Sequence, residues 1–187
     1  MVDLEGKMET ATAILTAGTD AVNVYKEISG SGQDNEVPER FMTSLMAVSL
    51  RKTIGLLAKA ERQYTQIAED LGLELDAESR RRIIGLSADI ALYDGALPAA
   101  VIEAKRLDER TTAESVRFDM HKGDPFSLRK RVQVFLAVMV CEVEGEVLAV
   151  RKAALERATG CRWQYSYSVL ARDGQWHWCF GCGLVAT

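Results

Sequence analysis

Two apolar stretches, 88–93 and 99–105, flank Asp94-Gly95 in the middle of the chain. An Asp-Gly pair between two such runs is a strong hairpin signal, and it commits this part of the chain to an antiparallel strand pair. The same runs carry Asp89, Glu103 and Lys105. An unpaired carboxylate in apolar surroundings is costly, so something must compensate it. Folding about the turn brings the start of the first strand beside the end of the second, which sets Asp89 next to Glu103 and Lys105. Glu103 and Lys105 are two apart in a strand and project to one face. Two converging carboxylates with an ammonium beside them make a hard-oxygen site for Mg²⁺ or Mn²⁺, with a cation placed to act on a water or a phosphoryl group.

The chain has 187 residues, enough for one domain with an appendage, and 48% hydrophobic and 27% charged residues fall in the globular range. A net charge of −4 argues against coating nucleic acid through bulk charge, although a local basic face is compatible with it. Four cysteines, and a start without the basic-then-apolar order of a secretory signal, point to a reducing cytoplasmic setting. The longest apolar run, 134–141, is far shorter than the roughly 20 residues that span a bilayer, so a soluble protein with no membrane partner is expected.

Spacing predicts an N-terminal helix over 8–28, a Gly/Ser-rich linker to residue 35, and a domain over 36–187. Helices are expected at 37–58 and 60–75, and strands at 82–86, 88–93 and 99–105. Residues 106–123 read as irregular. Asp124-Pro125 opens an expected buried helix over 125–142, followed by a strand at 145–151 and a short helix at 152–159. Alternating aromatics around Asp173-Gly174 give a C-terminal β-hairpin over 161–187.

The motif Asp89, thirteen residues, Glu103-Ala104-Lys105 resembles the PD-(D/E)xK nuclease superfamily, in which an acid opens one strand and (D/E)-x-K lies in the next. Ala88 replaces the proline before the first acid and leaves the ligands intact. The resemblance covers about 37–150. It implies an α/β restriction-endonuclease-like fold, a mixed central sheet flanked by helices, here extended by the N-terminal helix and the C-terminal hairpin. It further implies Asp89, Glu103 and the Ala104 carbonyl as ligands to Mg²⁺ or Mn²⁺, and Lys105 acting on the attacking water. A glutamate from a preceding helix often joins the set. Glu39, in Glu39-Arg40-Phe41-Met42-Thr43-Ser44-Leu45, fits that place, with Glu36 and Glu69 as competing choices. By the same resemblance Gln133 is a supporting residue on the helix after the lysine strand. The implied activity is phosphodiester hydrolysis, with DNA as the expected partner.

Arg80, Arg81 and Arg82, then Arg106, then Arg129, Lys130 and Arg131 form basic clusters that can hold a phosphate backbone. Cys161, His177, Cys179 and Cys182 supply enough ligands for zinc, or else buried thiols. The ladder of Trp163, Tyr165, Tyr167, Trp176 and Trp178 is suited to stacking nucleobases, to a core, or to a homodimer interface. The rival to catalysis is a silent binding or regulatory protein of phage or host-defence type on the same fold, since function lies in the site and not in the fold.

Overall fold

The computed structural model describes residues 4–29, 37–107, 111–124, 132–142, 145–166 and 177–185. The elements in chain order are α1 (Leu4–Ser29), α2 (Glu39–Ile54), β1 (Leu57–Gln63), α3 (Tyr64–Asp70), α4 (Ala77–Ile83), β2 (Ser87–Asp94) and β3 (Leu97–Leu107). There follow α5 (Ala113–Met120), a 3₁₀ turn (His121–Gly123), β4 (Gln133–Glu142), α6 (Gly145–Thr159), β5 (Arg162–Tyr165) and β6 (His177–Leu184). The strands form one mixed six-stranded sheet in the order β1-β2-β3-β4-β6-β5. Among the described strands only β3 and β4 run parallel, and α5 lies in the crossover between them.

The sheet separates two apolar layers. On one side Ile14, Ala17 and Val22 of α1 and Met42, Met46 and Leu50 of α2 pack on Ile90, Ile102, Phe135 and Phe180. The other side buries Tyr64 and Ile67 of α3, Val116 of α5 and Leu155 of α6 against Ala91, Val101, Leu136 and Val138. The first helix thus shares the core of the sheet, with Gly18 against Phe180: a Cβ at Gly18 would stand 2.2 Å from that ring.

The hairpin is present as expected, with Ile90 opposite Ile102 and Ala91 opposite Val101; Asp94 pairs with Leu97, so Gly95, at φ 60°, and Ala96 make the turn, and the register shifts between Leu92 and Tyr93. Five expectations fail. Residues 133–142 form the central strand β4, where a helix was expected over 125–142; the expected start at 125–131 lies outside the described residues. A strand covered on both faces reads as a continuous apolar run without period two, which periodicity cannot tell from a buried helix. The Val-rich composition of 132–140 is the signal that favours a strand. Within 60–75 the chain first forms β1 and turns helical only at Tyr64. Ala, Lys, Glu and Arg favour a helix, but pairing with β2 overrides that preference, and polar residues suit an edge strand.

Residues 82–86 are no strand: Arg80, Arg81 and Arg82 lie on α4, whose Asp76 cap accepts the Ser79 N–H. Residues 145–159 are one helix, since the high helix propensity of Ala, Leu, Glu and Arg outweighs the β-branched Val147 and Val150. Finally, 106–123 is ordered as the end of β3, then α5, capped by Thr112 accepting from the Ser115 N–H, and the 3₁₀ turn.

Candidate metal centre

The β2–β3 ladder runs to the Ile90–Ile102 pair, and one step beyond it Asp89 and Glu103 are close enough for the charge of one to raise the carboxyl of the other. Glu103 lies on the face of α3 and α5, where Tyr64 reaches it, and Lys105 follows on that face two residues later and meets Asp119 of α5. The three residues that define the motif therefore come together. The Ala104 N–H donates to Asp89 Oδ2 at 2.7 Å, which ties the first acid to the second strand. Glu103 is almost fully buried, at 4% exposure. Its Oε1 accepts from the Tyr64 hydroxyl at 2.5 Å and its Oε2 from Lys122 Nζ at 3.3 Å.

Three residues of this cluster escaped sequence reasoning. Tyr64 opens α3, Asp119 sits at the end of α5, and Lys122 lies in the turn after it. Asp119 is buried and divides its two oxygens between two ammoniums: Oδ2 accepts from Lys105 Nζ in a short contact and Oδ1 meets Lys122 Nζ at 2.7 Å. The signal for α5 is Thr112 as an N-cap with Glu114 in the first turn, and a helix from there sets Asp119 and Lys122 three residues apart on one face.

Burial pushes the Glu103 carboxyl up to about 7, and the Asp89 charge adds to it against the hydrogen bonds from Tyr64 and Lys122. Burial likewise pushes Asp89 up to about 6, opposed by the Ala104 N–H, with the charges of Glu39 and Glu61 raising it further. Both acids thus sit where a positive charge is wanted, which is the electrostatic condition of a cation site.

This has a consequence for stability. Both carboxyls titrate higher in the folded chain than their ordinary values of 3.8 and 4.5, so the folded state binds more protons between pH 4 and 8. Stability then falls as pH rises through that window. For the metal-free protein we expect a loss on the order of 4 kcal/mol between pH 5 and pH 8, roughly 8–16 °C in Tm. Thermal unfolding of the wild type and Glu103→Gln tests this, since the variant should have a flatter profile. Parallel profiles would remove the argument.

Glu39 opens α2, on the other side of the sheet, and its Oε2 accepts from the Arg106 N–H at 3.4 Å. It therefore reaches the end of β3 near the site, yet its residue is exposed. Glu69 is exposed on α3, and Glu36 lies outside the described residues. Glu61 stands between the β1 pairs Ala60–Ile90 and Arg62–Ala88, in line with Asp89, and is the one non-glycine residue with positive φ among those described, at 53°. With Arg40, Thr43, Ser44 and Ala60 it lines an open cleft of about 290 Å³ between α2 and β1.

Gln133 does not join the site. It pairs with Ala100 at the start of β4 and faces the α1/α2 layer, whereas Leu136, the partner of Glu103, faces the other. The helix it was assigned to is a strand, and the parallel register fixes its side of the sheet.

Arg80, Arg81 and Arg82 are exposed on α4, where Arg82 pairs with Glu78 at 2.6 Å. Arg106 is half-buried at the end of β3, and Arg129, Lys130 and Arg131 lie outside the described residues. Cys179 packs in one apolar layer and Cys182 in the other, so this CxxC cannot grip one ion. The side chain of His177 lies outside the described residues. Trp163 and Tyr165 stack at 6.0 Å and lie over Gly183 and Gly181, where a Cβ would come 2.8 Å from each ring. These two aromatics cover the sheet. Tyr167 and Trp176 are outside the described residues, as is the side chain of Trp178.

Among the described residues no three His, Cys, Asp or Glu side chains converge as a metal-binding group. The pair Asp89 and Glu103 still fits Mg²⁺, which keeps several waters and is commonly held by one or two carboxylates together with substrate phosphate oxygens. No helix among the described residues is long and apolar enough to cross a membrane.

Compared with protein-family models, curated proteins and solved structures, the chain matches none.

Proposed function

We propose that the chain is a metal-dependent nuclease of the PD-(D/E)xK kind with a restriction-endonuclease-like fold, hydrolysing phosphodiester bonds in cytoplasmic DNA. The observation that supports this most is the pair of neighbouring carboxylates on adjacent strands, Asp89 half-buried and Glu103 buried, with Lys105 two residues beyond Glu103 on the same face.

In this reading Asp89 and Glu103 hold Mg²⁺ or Mn²⁺, with the Ala104 carbonyl as an added ligand and Glu39 at the margin. When bound, the ion supplies charge neutralisation at the phosphoryl oxygens. Lys105, held by Asp119, orients the attacking water and stabilises the developing hydroxide. Tyr64 keeps Glu103 in place by donating to Oε1. Arg80, Arg81, Arg82 and Arg106 are candidates to contact the phosphate backbone. A homodimer through the C-terminal hairpin belongs to the same reading, since β5 is a sheet edge.

One observation favours the silent binding protein instead. Lys122 and Asp119 already partner Glu103 and Lys105, so the cluster is largely neutralised from within.

Plasmid nicking by the purified chain separates the two. Supercoiled DNA should relax with Mg²⁺ or Mn²⁺ and stay intact with chelator. If neither DNA nor RNA is cut under any divalent metal, the nuclease reading is lost and the binding protein takes its place.

A further inference from the structure

Lys122 was not part of the sequence motif, yet its Nζ touches a proposed metal ligand. It lies 3.3 Å from Glu103 Oε2 and 2.7 Å from Asp119 Oδ1. We propose that Lys122 is a built-in counter-ion that competes with the divalent cation for Glu103, so that the ion binds only as the ammonium lets go of that carboxylate. The inference rests on the metal site of the nuclease reading.

Asp89, Glu103 and Asp119 bring three negative charges to the cluster, and Lys105 and Lys122 bring two positive ones. Lys105 is spoken for by Asp119 Oδ2, which leaves Lys122 as the ammonium on Glu103. A divalent ion between Asp89 and Glu103 would turn the cluster from net negative to net positive with both lysines in place. Two cations against one carboxylate oxygen repel strongly in a site of low dielectric.

The contact that gives way is the longer one, to Glu103, while the shorter one to Asp119 holds the lysine nearby. Its side chain retains 21% exposure and a flexible stem in the middle of the 3₁₀ turn that follows α5, so the ammonium can move without unpacking that helix. Lys122 is accordingly a positioning residue, acting on Glu103.

The test is Mn²⁺ binding by calorimetry at pH 8 and fixed salt, on the full chain without DNA. The variants are Lys122→Met, which keeps the stem and removes the charge, Lys122→Gln as a second neutral variant, and Lys122→Arg, which keeps the charge. Circular dichroism establishes that each is folded. We expect both neutral variants to bind Mn²⁺ about tenfold more tightly than the wild type, and Lys122→Arg to stay within about twofold of it.

Equal affinity in the wild type and the neutral variants overturns the inference and leaves the nuclease reading standing. Weaker binding in the neutral variants overturns it as well, because the lysine would then be supporting the site. Binding by the neutral variants alone upholds the competition and removes the nuclease reading, since the wild type would be its own counter-ion. No binding by any of the four overturns both.

Discussion

Lys105→Ala should abolish DNA cleavage while Mn²⁺ binding stays within a few-fold of the wild type, because Lys105 Nζ touches Asp119 and not the facing acids. Asp89→Asn should do the reverse in the binding assay. It removes a negative charge from a hard-cation site, so the affinity for Mn²⁺ falls and activity falls with it. Each loss should reach two to four orders of magnitude in rate, since preorganised charge near a phosphoryl centre supplies several kcal/mol, on the order of 3–5. Nicking rates measured against metal concentration distinguish the two: excess Mn²⁺ rescues Asp89→Asn in part and does nothing for Lys105→Ala. If Lys105→Ala cuts at the wild-type rate, the lysine has no catalytic part.

The second large effect concerns the core. Phe180 is fully buried beneath α1, and a Cβ at Gly18 would come within 2.2 Å of its ring. Gly18→Val should therefore destabilise the protein by roughly 2–3 kcal/mol or more, through overpacking that lifts α1 from the sheet. Phe180→Ala should cost about 3–5 kcal/mol through the cavity it leaves. The two should not add, because the valine fills part of that cavity. Urea unfolding of both single variants and the double variant measures the coupling. Strict additivity would mean that the helix and β6 do not press on each other at this point.

The legibility of this fold in the sequence follows from how local each signal is. The β2–β3 hairpin was readable because the Asp-Gly signal and both runs lie within eighteen residues, but the bulge between Leu92 and Tyr93, which brings the Asp89 end of β2 beside Glu103, has no mark in the sequence. Those three motif residues carried the site into view. Strand β4 was misread because its burial on both faces erases the alternation that identifies a strand, and Gln133 was misplaced with it. Strand β1 was hidden by helix-favouring residues that only pairing with β2 can overrule.

The second half of the charge network was invisible for another reason. Asp119 and Lys122 meet Glu103 and Lys105 only because α5 folds back under the parallel crossover, a long-range event with no local sequence mark. Glu61 is the same kind of case: its neighbours give no hint that it falls in line with Asp89.

The seating of α1 also governs the order in which this chain can acquire its structure during synthesis. The three strands β1, β2 and β3 pair with near neighbours and can form as they emerge. The first helix waits for a partner at the other end: Thr19 Oγ1 meets Ser166 Oγ at 3.0 Å, across 147 residues, and Gly18 meets Phe180 in β6. At translation speeds of about 5–20 residues per second, Ile14, Ala17 and Val22 spend on the order of ten to thirty seconds with that part of their packing unmade. The most C-terminal of the described strands is thus the one that closes α1 onto the sheet, and a nascent chain stalled before residue 177 presents that apolar face to chaperones or to its neighbours.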